Sequence, residues 1–269
     1  MKDMKPGQPL PPGHPPIFKP APDITHNVRD WVVDPAQVNA EEHWSIHMAF
    51  KQIAPLSETE ATALHALVDA AAHMDAKPNP AVGEQAIGIR GWYDVAGYRV
   101  DADLLCWVLA DTPEACQAAY REIVSFTNTA GEVVFEAVWS AMSRHMPAEF
   151  NNVHLAACFG GFAPRKYVAV YPFVRSYDWY YMHEARRAAI LREHGLNGRE
   201  FNDVPVSTLA AFALNDWEWI ISLEADSLDR VMAVLRRQRD AEARLYVRVD
   251  TPFYTGVRME LKSWAALRK

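Results

Sequence analysis

Apolar and polar positions alternate along HWSIHMAFKQI (43–53), where Trp44, Ile46, Met48 and Phe50 share one side, and this period of two predicts a half-buried strand. SETEATALHALVDAAAHM (57–74) shifts to a helical period, with Leu64, Leu67, Val68 and Ala71 as its stripe and Ser57 with Glu60 as a capping box. Strands are expected over 86–96 and 102–110, a helix over 112–128 with Thr112 as cap and Pro113 at its first position, and a strand over 132–142 whose alanines leave a helix open. The order then repeats. KYVAVYPFV (166–174) reads as a strand, HEARRAAILREH (183–194) as a helix stopped by Gly195, and 206–214 and 218–225 as strands divided by Asn215 and Asp216. A strongly periodic helix over 227–246 and a last strand over 249–259 close the second unit. Two successive β-α-β-β-α-β units define an α+β chain with two ferredoxin-like halves in one subunit, about 42–150 and 151–269, whose sheets pack or close into one α/β barrel.

Upstream of that unit the pattern is lost. Nine of the eighteen prolines precede Gln37, so residues 1–38 read as an extended, proline-rich arm, loose or draped over a neighbouring subunit, ahead of a folded domain at 39–269. Neither a secretory h-region nor a membrane span is present in the sequence, so the expected location is the cytoplasm. A formal net charge of −7 argues against a nucleic-acid partner. Cys106, Cys116 and Cys158 form no CxxC or CxxCH pair, which excludes zinc-ribbon, thioredoxin-type and covalent c-type haem readings.

The densest candidate chemistry is YPFVRSYDWYYM (171–182). Alternation puts Tyr167, Ala169, Tyr171, Phe173 and Arg175 on one face and Val168, Val170, Pro172 and Val174 on the other. The valine face is core. The tyrosine face suits either a packed aromatic layer with a surface arginine or a large flat ligand with acidic substituents. His194 falls in the last turn of its expected helix, either as a dipole-stabilised terminal residue or as a single proximal ligand for haem iron. His154 lies in a loop before a glycine pair, and NDWEW (215–219) places Trp217 and Trp219 on one strand face. Serine-hydrolase, Walker, GxGxxG and HExxH signatures are absent.

Taken in order, RGWYDVAGYRVDADLLCW, HMPAEFNNVH, VYPFVRSYDWYYM, LREHG, AAFALNDWEWIISLEA and EARLYVRVDTPFYTG resemble the actinobacterial coproheme decarboxylases of the chlorite dismutase-like family over residues 42–259. The resemblance implies a dimeric α+β barrel and a homo-oligomer, a pentamer. It implies an oxidoreductase that takes iron coproporphyrin III (coproheme, both substrate and redox centre) to haem b with hydrogen peroxide, through a three-propionate intermediate. This is the last step of coproporphyrin-dependent haem biosynthesis, with transient contact to the iron-inserting enzyme and no separate metal ion. His194 would be the proximal iron ligand, Tyr171 the catalytic tyrosine and His154 the distal base. Arg175 would pair with a propionate, Trp179 and Trp219 would line the porphyrin pocket, and Glu242 would be the acidic neighbour of the proximal histidine. Arg192 and Arg199 are further candidate cations. The sequence departs from the pattern at VPVST (204–208) and at FGGFAPRK (159–166) beyond His154. Alternatives are a chlorite dismutase or haem peroxidase, a haem-binding protein without turnover, and a haem-free barrel.

Overall fold

Backbone hydrogen bonding joins eight strands into a closed ring in the computed structural model, which describes residues 29–76, 87–149, 151 and 153–268. The first half runs α1 (Pro35–Ala40), β1 (Trp44–Gln52), α2 (Glu58–Ala72), β2 (Gly88–Asp94), β3 (Leu104–Ala110), α3 (Pro113–Val124) and β4 (Phe135–Arg144). The second runs β5 (Tyr167–Arg175), α4 (Tyr177–Tyr181), α5 (Glu184–Gly198), β6 (Val206–Ala210), β7 (Trp219–Ala225), α6 (Leu228–Gln238), β8 (Val247–Val249), β9 (Tyr254–Met259) and α7 (Leu261–Leu267). Within the halves the strand orders are β4-β1-β3-β2 and β6-β7-β5-β9, the same arrangement twice. The halves join where β2 pairs with β9 and where Arg144 of β4 meets Ala210 of β6. The β5–β7 pairing, from Tyr167↔Ala225 to Phe173↔Trp219, completes the ring, and β8 adds only to the far end of β5.

Alternation sorts the side chains into layers. From β1, Ile46, Met48 and Phe50 face outward against α2, α3 and α7, while Ser45, His47 and Ala49 face the interior. The Ser57–Glu60 capping box forms, as does the Thr112 cap with Pro113 at the first position of α3. The interior holds several polar groups drawn to partners, because an unpaired buried group is costly, although the Tyr93 hydroxyl and Trp139 Nε1 have no hydrogen bond among the described residues. Arg90 and Glu224 form a fully buried ion pair at 2.5 Å, Trp107 donates to Ser45 Oγ at 2.8 Å, and His47 Nε2 lies 2.9 Å from Ser222 Oγ.

Several elements differ from the sequence expectation. Residues 29–38 pack on the body: the Asp30 and Trp31 N–H groups donate to Gly161 O, Val33 and Val38 are buried, and Asp34 caps α1. Gly161 has φ +85°, and a Cβ there would lie 2.3 Å from Trp31 O, so this docking demands glycine. The rest of the proline-rich arm, with His14 and His26, and the start of the 86–96 strand lie outside the described residues. The helix expected over 183–194 continues through Gly195 to Gly198, since an exposed glycine only weakens a helix. The strand expected over 206–214 ends at Ala210, where the chain turns through Ala213 at φ +63°. The helix expected over 227–246 stops at Gln238, and Glu242–Tyr246 form a 3-10 turn that buries Ala243 against Trp179 and Ile190. Tyr177–Tyr181 is helical, and α1 and α7 are additional.

Glu224→Ala should lower unfolding free energy by about 3–5 kcal/mol in denaturant titrations, because it strands the Arg90 guanidinium in the interior. Replacing both partners with apolar residues of similar size should recover most of that loss.

Candidate active site

The outward face of β5 carries Tyr171, Phe173 and Arg175, while Val168 and Val170 point into the interior core. Along a strand, Tyr171 and Arg175 stand about 13 Å apart, the span of four residues. Tyr171 is 8% exposed and stacks on Phe253 with ring centres 4.5 Å apart. Its hydroxyl meets no hydrogen-bond partner among the described residues. Burial pushes this phenol up to about 12, with Asp250 acting in the same direction and Arg239 and Arg244 against it. Those two arginines both pair with Asp250, at 2.9 and 2.5 Å.

Arg175 lies over Trp179 at 4.0 Å and over Phe173 at 4.7 Å. Its Nη1 donates to Ala243 O at 3.3 Å, and its backbone N–H to Glu218 Oε2 at 2.8 Å. Among the described residues no carboxylate comes within ion-pair distance of its guanidinium. Burial lowers it to about 10, against the opposing pull of Tyr180, Glu218 and Glu149. A half-buried guanidinium without its own counterion is suited to receive an anion, and its fork fits a carboxylate.

His194 sits on α5 more than a turn before the helix end, not in the last turn. Its carbonyl accepts from Gln238 Nε2 at 3.2 Å, and its ring has no hydrogen-bond partner among the described residues. Burial first, and then the charge of Arg175, lower the imidazole to about 4, with Glu193 opposing. The ring is therefore neutral at pH 7, the form in which imidazole offers a lone pair to a metal. Among the described residues no group of three or more His, Cys, Asp or Glu could hold a bare metal ion. A porphyrin supplies four of its iron's ligands, so one histidine is enough. The fit of these residues to an iron porphyrin carboxylate rests on that free imidazole, the unpaired guanidinium and the aromatic face between them.

Trp179 is buried on α4 beside Ile190, Ala243 and Tyr246. Trp219 opens β7 opposite Phe173 and meets Phe212 edge-on at 5.3 Å. Trp217, expected on the same face as Trp219, instead packs inward against Trp139 at 5.8 Å, because it precedes the strand in a turn closed by Asn215. Tyr171, Arg175, Trp179, His194 and Trp219 thus gather on one side of the β5–β7 sheet. His154 lies apart from them on the exposed loop between β4 and β5, its N–H donating to Asn151 O at 3.0 Å. Burial and the charge of Arg29 lower its imidazole. The Glu242 carboxylate pairs with Arg186 rather than with His194. Tyr180 and Glu218 carried no site role in the sequence, and Phe253 went unnoticed there, although the aromatic flanked by Pro252 and Tyr254 was the available signal.

The fold and this aromatic, singly histidine-bearing face define a class. The chlorite dismutase family profile matches residues 61–259, and the chain belongs to that family. It is 42% identical to a coproheme decarboxylase of Mycolicibacterium smegmatis over 183 residues, 68% of this chain and 78% of that protein. Among solved structures, a variant of the chlorite dismutase from Candidatus Nitrospira defluvii superimposes with a TM-score of 0.68 at 14% identity, covering 86% of this chain and 97% of that one. The same enzyme in complex with imidazole gives 0.63 at 15% identity, over 84% and 94%. These structures share the fold.

His194 should titrate near pH 4 in NMR spectra of the ligand-free protein. Arg175→Met removes a cation that disfavours the imidazolium, so the titration should move up towards 6.5; no movement would separate the two residues.

Proposed function

We infer that the protein converts coproheme to haem b by oxidative decarboxylation of two propionates. The observation that carries this reading is the pairing of an unneutralised guanidinium, Arg175, with a buried phenol on the same strand face, Tyr171, in a chain of the chlorite dismutase family. With hydrogen peroxide as oxidant, each propionate, one peroxide and one proton give a vinyl group, carbon dioxide and two waters. Bound coproheme supplies the iron that activates peroxide.

The chain's own residues do the rest. His194 would hold the iron through its neutral imidazole. Arg175 would anchor a carboxylate, while Trp179 and Trp219 would border the ring. Tyr171 gives up its phenolic hydrogen and then takes one from the propionate β-carbon. The electron left on carbon would pass to the second oxidising equivalent of the peroxide as the carbon–carbon bond to carboxylate breaks. Burial of Tyr171 keeps water and reductants away from the radical during that exchange. His154, whose imidazole is held below its usual range, would receive a proton from peroxide with its loop brought over the Tyr171–Arg175 face.

Charge distribution favours a polyanionic substrate in this half. Residues 151–269 contain 17 Lys and Arg against 14 Asp and Glu, whereas residues 1–150 contain 10 against 20. Such asymmetry steers an anion towards the second half despite the overall charge of −7. Homopentameric assembly, a cytoplasmic setting and transient contact with the iron-inserting enzyme complete the proposal. No helix among the described residues is long and apolar enough to cross a membrane.

Coproheme titrated with peroxide should lose the equivalent of formic acid twice by mass spectrometry, passing through a three-propionate species. Tyr171→Phe should retain the Soret shift on binding and lose turnover by about 10²-fold or more, on the scale of a removed proton-transfer group. Haem b formed by that variant at the parent rate would refute the radical role. His194→Ala should abolish the Soret shift of an iron–imidazole complex.

A further inference from the structure

Glu218 stands where β7 begins, and its Oε2 accepts two hydrogen bonds: one from the Arg175 backbone N–H at 2.8 Å, one from the Tyr180 hydroxyl at 2.6 Å. The second is a short, charge-assisted bond. Burial and this hydrogen bond raise the Tyr180 phenol, so it keeps its proton at physiological pH. Tyr180 is 47% exposed, and its ring meets Phe212 edge-on at 6.4 Å, which in turn meets Trp219 at 5.3 Å. Two ring contacts therefore connect the porphyrin-facing wall with solvent.

The neighbouring phenols differ in what their hydroxyls touch. Tyr171 is buried, with no proton acceptor among the described residues. Tyr177 accepts a hydrogen bond from Arg248 at 2.7 Å, a cation that opposes removal of an electron from the ring. Tyr180 alone among these three donates to a carboxylate. Losing an electron makes a phenol strongly acidic, so an acceptor at 2.6 Å eases oxidation by taking the proton in the same step.

We propose that Tyr180 and Glu218 form a discharge site for surplus oxidising equivalents. The Tyr180 ring releases one electron towards the porphyrin site and its phenolic proton crosses to Glu218 Oε2. The exposed phenoxyl is then reduced from solvent by a one-electron donor of the ascorbate or thiol class, and Glu218 returns the proton. Two such discharges reduce one peroxide to two waters, with two electrons and two protons supplied finally by the donor. Tyr171, shielded from such donors, keeps its equivalent for the propionate. The peroxide source of the equivalents rests on the decarboxylase reading above; the redox chemistry of the pair does not.

Ligand-free protein, oxidised by photogenerated ruthenium(III) tris-bipyridine and followed by EPR, tests the pair on its own. Tyr180→Phe should cut the tyrosyl yield. Glu218→Gln, which still accepts from the Arg175 N–H, should slow radical formation about tenfold, the factor for about 1.4 kcal/mol lost from proton transfer. It should also abolish the solvent deuterium isotope effect of the parent, which a packing role would leave unmoved. Unchanged yield and isotope effect in both variants would overturn the proposal whatever coproheme does. In coproheme-loaded protein with excess peroxide, Tyr180→Phe should bleach the porphyrin faster and ascorbate should no longer protect it. Bleaching and protection equal to the parent would count equally against the proposal. Failure to bind coproheme at all would instead remove the decarboxylase reading, leaving the photochemical result to decide the pair.

Discussion

The antiparallel pairing of β5 with β7 is the constraint on which the rest depends. It closes the ring, and by closing it fixes which residues of both strands face out. Tyr171, Phe173 and Arg175 cannot then be turned inward without sending Val168, Val170 and Ile220 out of the core, since a one-residue slip inverts every side chain. Closure also leaves no free edge among these eight strands and creates an interior in which an unpaired polar group is costly. Arg90–Glu224, Trp107–Ser45 and His47–Ser222 meet that demand.

Outside the ring the electrostatic situation is the reverse. In the interior the buried arginine has its carboxylate; beneath the helices Arg175 has aromatic faces and a carbonyl, and its ionised form is disfavoured. His194, in the field of the same cation, is held neutral. A site that keeps a cation short of a counterion and a histidine short of a proton is complementary to a ligand offering both a carboxylate and a Lewis-acidic metal. The two deficits sit on adjacent elements, within reach of one another's field.

Much of this was legible in the sequence because it rests on local rules. Period-two and period-3.6 patterns placed the strands, and Ser57–Glu60 and Thr112–Pro113 marked helix starts through chemistry confined to one turn. Alternation alone assigned Tyr171 and Arg175 to one face. What escaped depends on contacts distant in sequence. The end of α6 at Gln238 follows from Ala243 packing on Trp179, and the docking of residues 29–38 from Gly161 meeting Trp31. Neither partner is within reach of a local pattern. Trp217 and Trp219 diverge because alternation holds only inside a strand, and β7 starts one residue after Glu218.

The pseudo-repeat also explains why the site occupies one half. β1 is the counterpart of β5, and its outward face carries Trp44, Ile46, Met48 and Phe50 with no cation. That face is sealed by α2, α3 and α7, the last arriving from the C-terminus and burying Leu261, Trp264 and Ala265 there. The chain leaving β4 inserts Leu155, Ala156, Cys158 and Phe159 into the interior core. On the outward face of β5, α6 seals the Ala169–Tyr171 end with Val231, Ala233 and Val234, while towards Arg175 the elements α4 and α5 bring Trp179 and His194. One fold, used twice, is apolar core along the whole strand in the first half and along only part of it in the second, where aromatic and cationic groups take over.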